Sequence, residues 1–379
     1  MVRRLIRNNA HLITKLSVGL FLYDGDPRED ISNVRLLTGI PALPSLHSLA
    51  VVKLRRNADD ETSLPELVSA VPLRVLSSRG GFMLRALPAT VTRQLEQLCF
   101  RDNDSRKTDL LYSTFDTARF TSLRALRATC TSMMYWDAAV LQPRQHSGLT
   151  ILVLRFTGDS TVDGLQILRA PSLQHLTLVV GSRHDHDLDT ETRNSTALLA
   201  FIRESAPPLR EMRLHAVDIS DDAFCKILDS VPSLELLKIS CGRLTSMFVQ
   251  QLATPPSDGG EWLCPRLEHL SYLSARVRHK KPSAEIVKHF GRTKSPKSFS
   301  RTEFNKLAAV RSEEASRTGL VSALEDVRVD GTQLVKVFGT GWCRWTKPDP
   351  AMLASQEFGR RGLEPPGTQE WWKCGRLLS

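Results

Sequence analysis

At 379 residues, with 41% hydrophobic and 24% charged residues, the chain has the composition of a folded soluble protein and the length of two ordinary domains or one elongated repeat array. Its longest apolar run, Leu12 to Tyr23, is interrupted by Lys15 and is too short for a membrane-spanning helix, which needs about 18 residues. Seven cysteines without a CxxC pair point to reduced thiols in the cytosol or nucleus rather than a disulfide framework, and the net charge of +10 matters mainly through where it falls.

The first 23 residues carry Arg3, Arg4, Arg7 and Lys15 without an acid, the charge pattern of a mitochondrial presequence. The same stretch already fits the dominant signal of the chain, an L-x-x-L-x-L template with any aliphatic residue allowed. In chain order it runs Ile13/Leu16/Val18, Leu46/Leu49/Val51, Leu95/Leu98/Phe100, Leu149/Leu152/Leu154, Leu173/Leu176/Leu178, Leu209/Met212/Leu214, Leu234/Leu237/Ile239, Leu267/Leu270/Tyr272 and Leu324/Val327/Val329, with weaker copies at Leu73/Leu76/Ser78 and Leu123/Leu126/Ala128. First positions lie 22 to 36 residues apart, except for a last gap of 57. Most of those intervals match leucine-rich repeats.

Pro-Ser-Leu or a variant precedes many copies: Pro44-Ser45-Leu46, Pro171-Ser172-Leu173, Pro207-Pro208-Leu209, Pro232-Ser233-Leu234 and Pro265-Arg266-Leu267. Proline disfavours helix just before it, so it ends the returning segment and launches a strand. Between strands, Ser195 to Ser205 and Ser220 to Ser230 read as short amphipathic helices, the second with a Ser-Asp-Asp start suited to an N-cap. The predicted fold is α/β, a leucine-rich-repeat solenoid (horseshoe) with irregular repeats, parallel strands on the concave face and helices on the convex face. No single strand–helix unit buries its own apolar edge, so stacking must supply the core. The Asn or Cys usual eight residues after the first Leu is mostly missing, Asn103 being the clear match; ordinary α/β crossovers are the alternative reading.

Residues 1–335 are expected to hold about eleven repeats, the first incomplete, with a basic insertion at 276–318 and a cap and partly disordered tail at 336–379. The insertion carries Arg276, Arg278, Lys280, Lys281, Lys288, Arg292, Lys294 and Lys297, then Arg301 and Lys306, against Glu285 and Glu303 alone. A solvated loop explains such a run; a nuclear-import or phosphate-binding patch is the functional reading. Trp342 and Trp345 suit a cap over the last repeat, and the proline-rich stretch from Pro365 suits disorder.

Catalytic signatures are missing. There is no phosphate-cradling glycine loop and no G-x-S-x-G elbow. His184-Asp185-His186-Asp187 has metal-ligand character but reads as hydrated loop, and His175, His215 and His269 stand on different repeats with no predictable nucleophile beside them. No enzyme activity, cofactor or metal is expected. Alternate strand residues would instead line the concave face: Arg101, Arg127, Arg155, His175, Thr177, Arg213, His215, Lys238, His269 and Arg328, against the acids Glu211, Asp326 and Asp330. Solubility alone would account for such charges, but their alignment across repeats favours a protein partner with an acidic surface. Nucleic acid is disfavoured because no aromatics interleave with the charges for base stacking.

The irregular spacing, the Pro-Ser-Leu-x-x-Leu strand starts and the helix at Ser220 to Ser230 resemble the repeat regions of F-box/leucine-rich-repeat proteins of the fungal, mushroom type. The resemblance implies a substrate receptor whose F-box docks a Skp-type adaptor of a cullin ubiquitin ligase. Leu64-Pro65-Glu66-Leu67 echoes an F-box opening, but its surroundings read as repeat, and the chain starts inside a repeat near Leu5, as a partial product or a member without its adaptor-binding module would. A monomer in the cytoplasm or nucleus is expected.

Overall fold

The computed structural model describes residues 8–20, 43–53, 71–79, 87–101, 119–130, 143–156, 162–180, 188–241, 244–255, 261–274, 301–329, 332–337 and 341–345. Leu64 to Leu67, Asn103, His184 to Asp187, the basic run Arg276 to Lys297 and the tail from 346 onward lie outside the described residues. Those described form two compact units, one from residues 8–156 with 167–173, the other from 162–166 with 174–345.

In the first unit, β1 (Lys15–Leu20), β2 (Ser48–Lys53), β3 (Val75–Arg79), β4 (Gln97–Arg101), β5 (Ala125–Cys130) and β7 (Ile151–Phe156) pair side by side in chain order, all parallel. Helix α1 (Ala89–Gln94) precedes β4, and β6 (Arg144–Gln145) pairs in parallel with β8 (Leu168–Arg169). In the second unit β9 (His175–Val180), β10 (Glu211–His215), β11 (Leu236–Cys241), β12 (His269–Ser274) and β13 (Asp326–Val329) follow the same rule. Between them run α2 (Leu188–Ser205), α3 (Asp221–Asp229), α4 (Ser246–Ala253) and α5 (Arg301–Thr318). Two antiparallel strands, β14 (Thr332–Val337) and β15 (Gly341–Trp345), end the series. Among the described residues no helix is long and apolar enough to cross a membrane.

The template residues are the core. Every described member of the triplets from Leu46 to Val329 is buried, including Ser78 and Ala128 in the weak copies, while Ile13 and Leu16 at the first repeat are half-buried. Strand β7 alternates half-buried and buried along its whole length, as a sheet with one face on the core requires. In the second unit Phe224, Phe248, Tyr272 and Phe304 continue that core as a spine, with successive ring centroids 5.8, 6.2 and 6.0 Å apart. Each repeat donates one ring, so each ring finds partners only in its neighbours.

The proline motif has a more specific role than strand launching. In Leu43-Pro44-Ser45-Leu46, Ala170-Pro171-Ser172-Leu173, Val231-Pro232-Ser233-Leu234 and Cys264-Pro265-Arg266-Leu267, the N–H of the leucine donates to the first residue's carbonyl at 2.9 to 3.1 Å. Each is a β-turn with proline at its second position, where the fixed φ is already correct. The turn serine reaches back one repeat: the Ser45 hydroxyl donates to the His11 carbonyl at 2.7 Å and that of Ser233 to the Leu209 carbonyl at 2.9 Å. Proline and serine therefore encode the corner and its tie to the previous repeat.

A further set of polar contacts ties neighbouring repeats together. The Asn194 side-chain oxygen accepts from the Val162 N–H at 3.0 Å, the Ser195 hydroxyl accepts from the Ser220 N–H at 3.3 Å, and the Asp221 carboxylate accepts from the Thr245 N–H at 2.9 Å and from its hydroxyl. These bonds cross between repeats at the helix starts, satisfying donors that a helix N-terminus leaves open. Helix α3 begins where Ser220 caps the Ala223 N–H, as the Ser-Asp-Asp start predicts. Helix α2 starts earlier than the sequence pattern indicates, at Leu188, because Asp189 and Glu191 suit the positive end of a helix as well as they suit a loop. Residues 301–318, read from sequence as the end of the basic insertion, form α5, whose Phe304, Leu307, Ala308 and Arg311 are buried.

His146, at a turn in the first unit, is only 2% exposed, and its Nε2 has no partner among the described residues. Burial holds its imidazole below the usual range. The folded protein then rejects a proton that the unfolded chain accepts, so stability is full above about pH 6.5 and falls as the pH drops below it, by at most about 1.4 kcal/mol per pH unit. Urea midpoints taken between pH 7.5 and pH 5.5 should show that loss, and His146→Leu should flatten it; an equally steep decline in the variant would refute the assignment.

Candidate functional site

On each unit the ladder register aligns in rows the strand residues that alternate with the buried triplets, most of the described ones half-buried or exposed and Ser77 buried. In the first unit one row runs Ser77, Cys99, Arg127, Val153 and the next runs Arg79, Arg101, Thr129, Arg155. Arg101 and Arg155 thus share a row, and Arg127 stands half-buried in the neighbouring one. Arg79 joins that row although its repeat is a weak copy of the template, ending in Ser78, which is why the sequence pattern passes over it.

The second unit holds the denser arrangement. One row is His175, Glu211, Leu236, His269 and Asp326; the next is Thr177, Arg213, Lys238, Ser271 and Arg328. His215 extends beyond these, exposed, in register with Ser240. All seven residues expected here from sequence stand on this face. The structure adds how they are wired.

Glu211 joins two of these side chains, accepting from the Arg213 guanidinium and lying 3.3 Å from His175 Nδ1. Asp326 holds Arg328 through both carboxylate oxygens, at 2.9 and 3.1 Å. Two of the three acids that look like sparse exceptions in the sequence therefore position the arginines; the third, Asp330, lies outside the described residues. Lys238 sits between them, in register with Arg213, and makes no hydrogen bond or ion pair with a described residue. Partial burial holds its ammonium below the ordinary lysine range; Arg213 and Arg328 add to that depression, while Glu211 and Asp326 oppose it. A half-buried cation flanked by two positioned arginines and lacking a carboxylate of its own is a ready site for an incoming anionic side chain.

One strand per repeat, parallel neighbours in chain order and an L-x-x-L-x-L triplet facing inward make each unit a stack of leucine-rich-repeat type. Among the solved structures the chain is similar to is the leucine-rich repeat-containing protein LegL7 from Legionella pneumophila. It is 14% identical, with a TM-score of 0.36, covering 84% of this chain and 93% of that one. No protein-family model and no curated protein sequence matches the chain.

Proposed function

We propose that the chain is a protein-interaction module, not an enzyme, and that it receives an acidic partner segment on the open sheet face of the second unit. The observation that carries this reading is the half-buried Lys238 between Arg213 and Arg328, which pairs with no described residue. An aspartate, glutamate or phosphoryl group over Lys238 would relieve the repulsion from the two arginines and restore the ammonium's solvation. Paired surface charges offer a partner little; an unpaired, partly desolvated one offers more.

Lys238→Glu is the direct test. Partners recovered by affinity purification on the natural chain should bind the variant at least about tenfold more weakly, since a carboxylate there repels an acidic segment, and raising salt should weaken the natural complex. Unchanged affinity in Lys238→Glu would reject the site. The finer reading, a substrate receptor of a ubiquitin ligase, rests on the family resemblance. It predicts that a Skp-type adaptor copurifies, and loses its basis if adaptor and cullin subunits are consistently missing.

A further inference from the structure

One residue before each strand, a further row runs across the ladder. In the first unit it alternates in sign: Arg74 pairs with Glu96 at 3.3 Å, and Arg124 follows. In the second unit Arg210 is followed by Glu235, Glu268 and Glu325, and no described lysine or arginine forms an ion pair with any of these three. His269 stands beside them at the start of β12.

Their places are set by the backbone. Glu268 and His269 N–H groups both donate to the Glu235 carbonyl, at 2.9 and 3.0 Å, and Glu325 and Asp326 N–H groups both donate to the Glu268 carbonyl, at 2.7 and 3.2 Å. The ladder thus forces two like charges onto adjacent strands, an arrangement that costs free energy unless something neutralises it. Ligand atoms of Glu268, His269 and Glu325 all lie within 4.8 Å of one another. Glu268 and His269 are half-buried and Glu325 is exposed, so the group is anchored on one side and open to solvent on the other.

We propose that Glu268, His269 and Glu325 form a binding site for a divalent cation of the zinc class. Two carboxylates and an imidazole are a nitrogen–oxygen donor set suited to that ion, and water would complete its tetrahedron. Ligands around such an ion stand about 3–3.5 Å apart, so small side-chain rotations close the site. The imidazole selects against magnesium and calcium, which prefer oxygen donors. The site does not involve Lys238, although His269 stands on the same open face.

Isothermal titration of zinc chloride into the chelator-treated full chain should show one saturable event assigned to this group, with a rise in melting temperature. His269→Ala and the conservative Glu325→Gln should each weaken it at least about tenfold and cancel that rise. The double variant His184→Ala with His186→Ala is a control for the other histidine cluster and should leave this event in place. No saturable binding, a parent-like titration by His269→Ala and Glu325→Gln, or loss of binding only in the histidine double variant would each overturn the proposal.

Discussion

Phe248→Ala is expected to destabilise the second unit by about 3–5 kcal/mol. The Phe248 ring is fully buried on α4 and meets Phe224 edge-on, with an interplanar angle of 72°, and Tyr272 at a tilt of 39°. Truncation removes apolar area, opens a cavity that rigid neighbouring repeats cannot collapse into, and breaks two aromatic contacts worth about 0.5–1.5 kcal/mol each beyond their area. A repeat stack transmits the damage, because Phe224 and Tyr272 depend on Phe248 as their neighbour. Denaturant unfolding followed by circular dichroism measures the loss, and Phe248→Leu should recover most of it by refilling the volume. A cost below about 1 kcal/mol for the alanine variant would show that the spine is incidental.

Arg311→Ala should be comparably severe, at about 3 kcal/mol or more, for a polar reason. Arg311 is wholly buried on α5, and its guanidinium donates to the carbonyls of Cys264 at 2.7 Å, Leu263 at 3.2 Å, Pro265 at 3.3 Å and Ser322 at 3.4 Å. Its guanidinium carbon also lies 6.0 Å from the centre of the Trp262 ring. Burial pushes the guanidinium down to about 10, so it remains charged at neutral pH, neutralised by carbonyl dipoles rather than by a described carboxylate. Those carbonyls belong to the turns entering β12 and β13, and the first contains Cys264 at a positive φ of 48°. The Cys264 and Pro265 carbonyls also take the N–H groups of Leu267 and Ser322, so losing the arginine leaves chiefly the Leu263 and Ser322 carbonyls without a donor among the described residues, each costing about 1–3 kcal/mol. Arg311→Lys keeps the charge but not the fork, so it should recover only part of the loss. Parent-like stability in Arg311→Ala would mean that water replaces the guanidinium.

Arg311 also marks where sequence reading stops. On the sequence it is one more basic residue after a basic run, and 301–318 reads as the end of an insertion. In the structure α5 gives Phe304 to the aromatic spine and Arg311 to the preceding turn. Its pattern is weakly amphipathic because a buried arginine occupies a position that periodicity expects to be apolar. The same limit applies to Asn194, Ser195 and Asp221, ordinary polar residues until the fold sets each against a neighbour's open N–H group.

The repeat period, the inward triplets, the Pro-Ser-Leu strand starts and the capped start of α3 were legible from sequence alone, since each depends on residues close in the chain or on a spacing that recurs. The row of cations on the open face was legible for the same reason, because β-strand alternation is a local rule. The pairing of charges was not. Which acid serves which arginine, why Lys238 pairs with no described acid, and why Glu268, His269 and Glu325 converge depend on the register between strands 25 to 57 residues apart. Local propensity sets no such register; hydrogen bonds and packing between repeats do, and they exist only once the stack has formed.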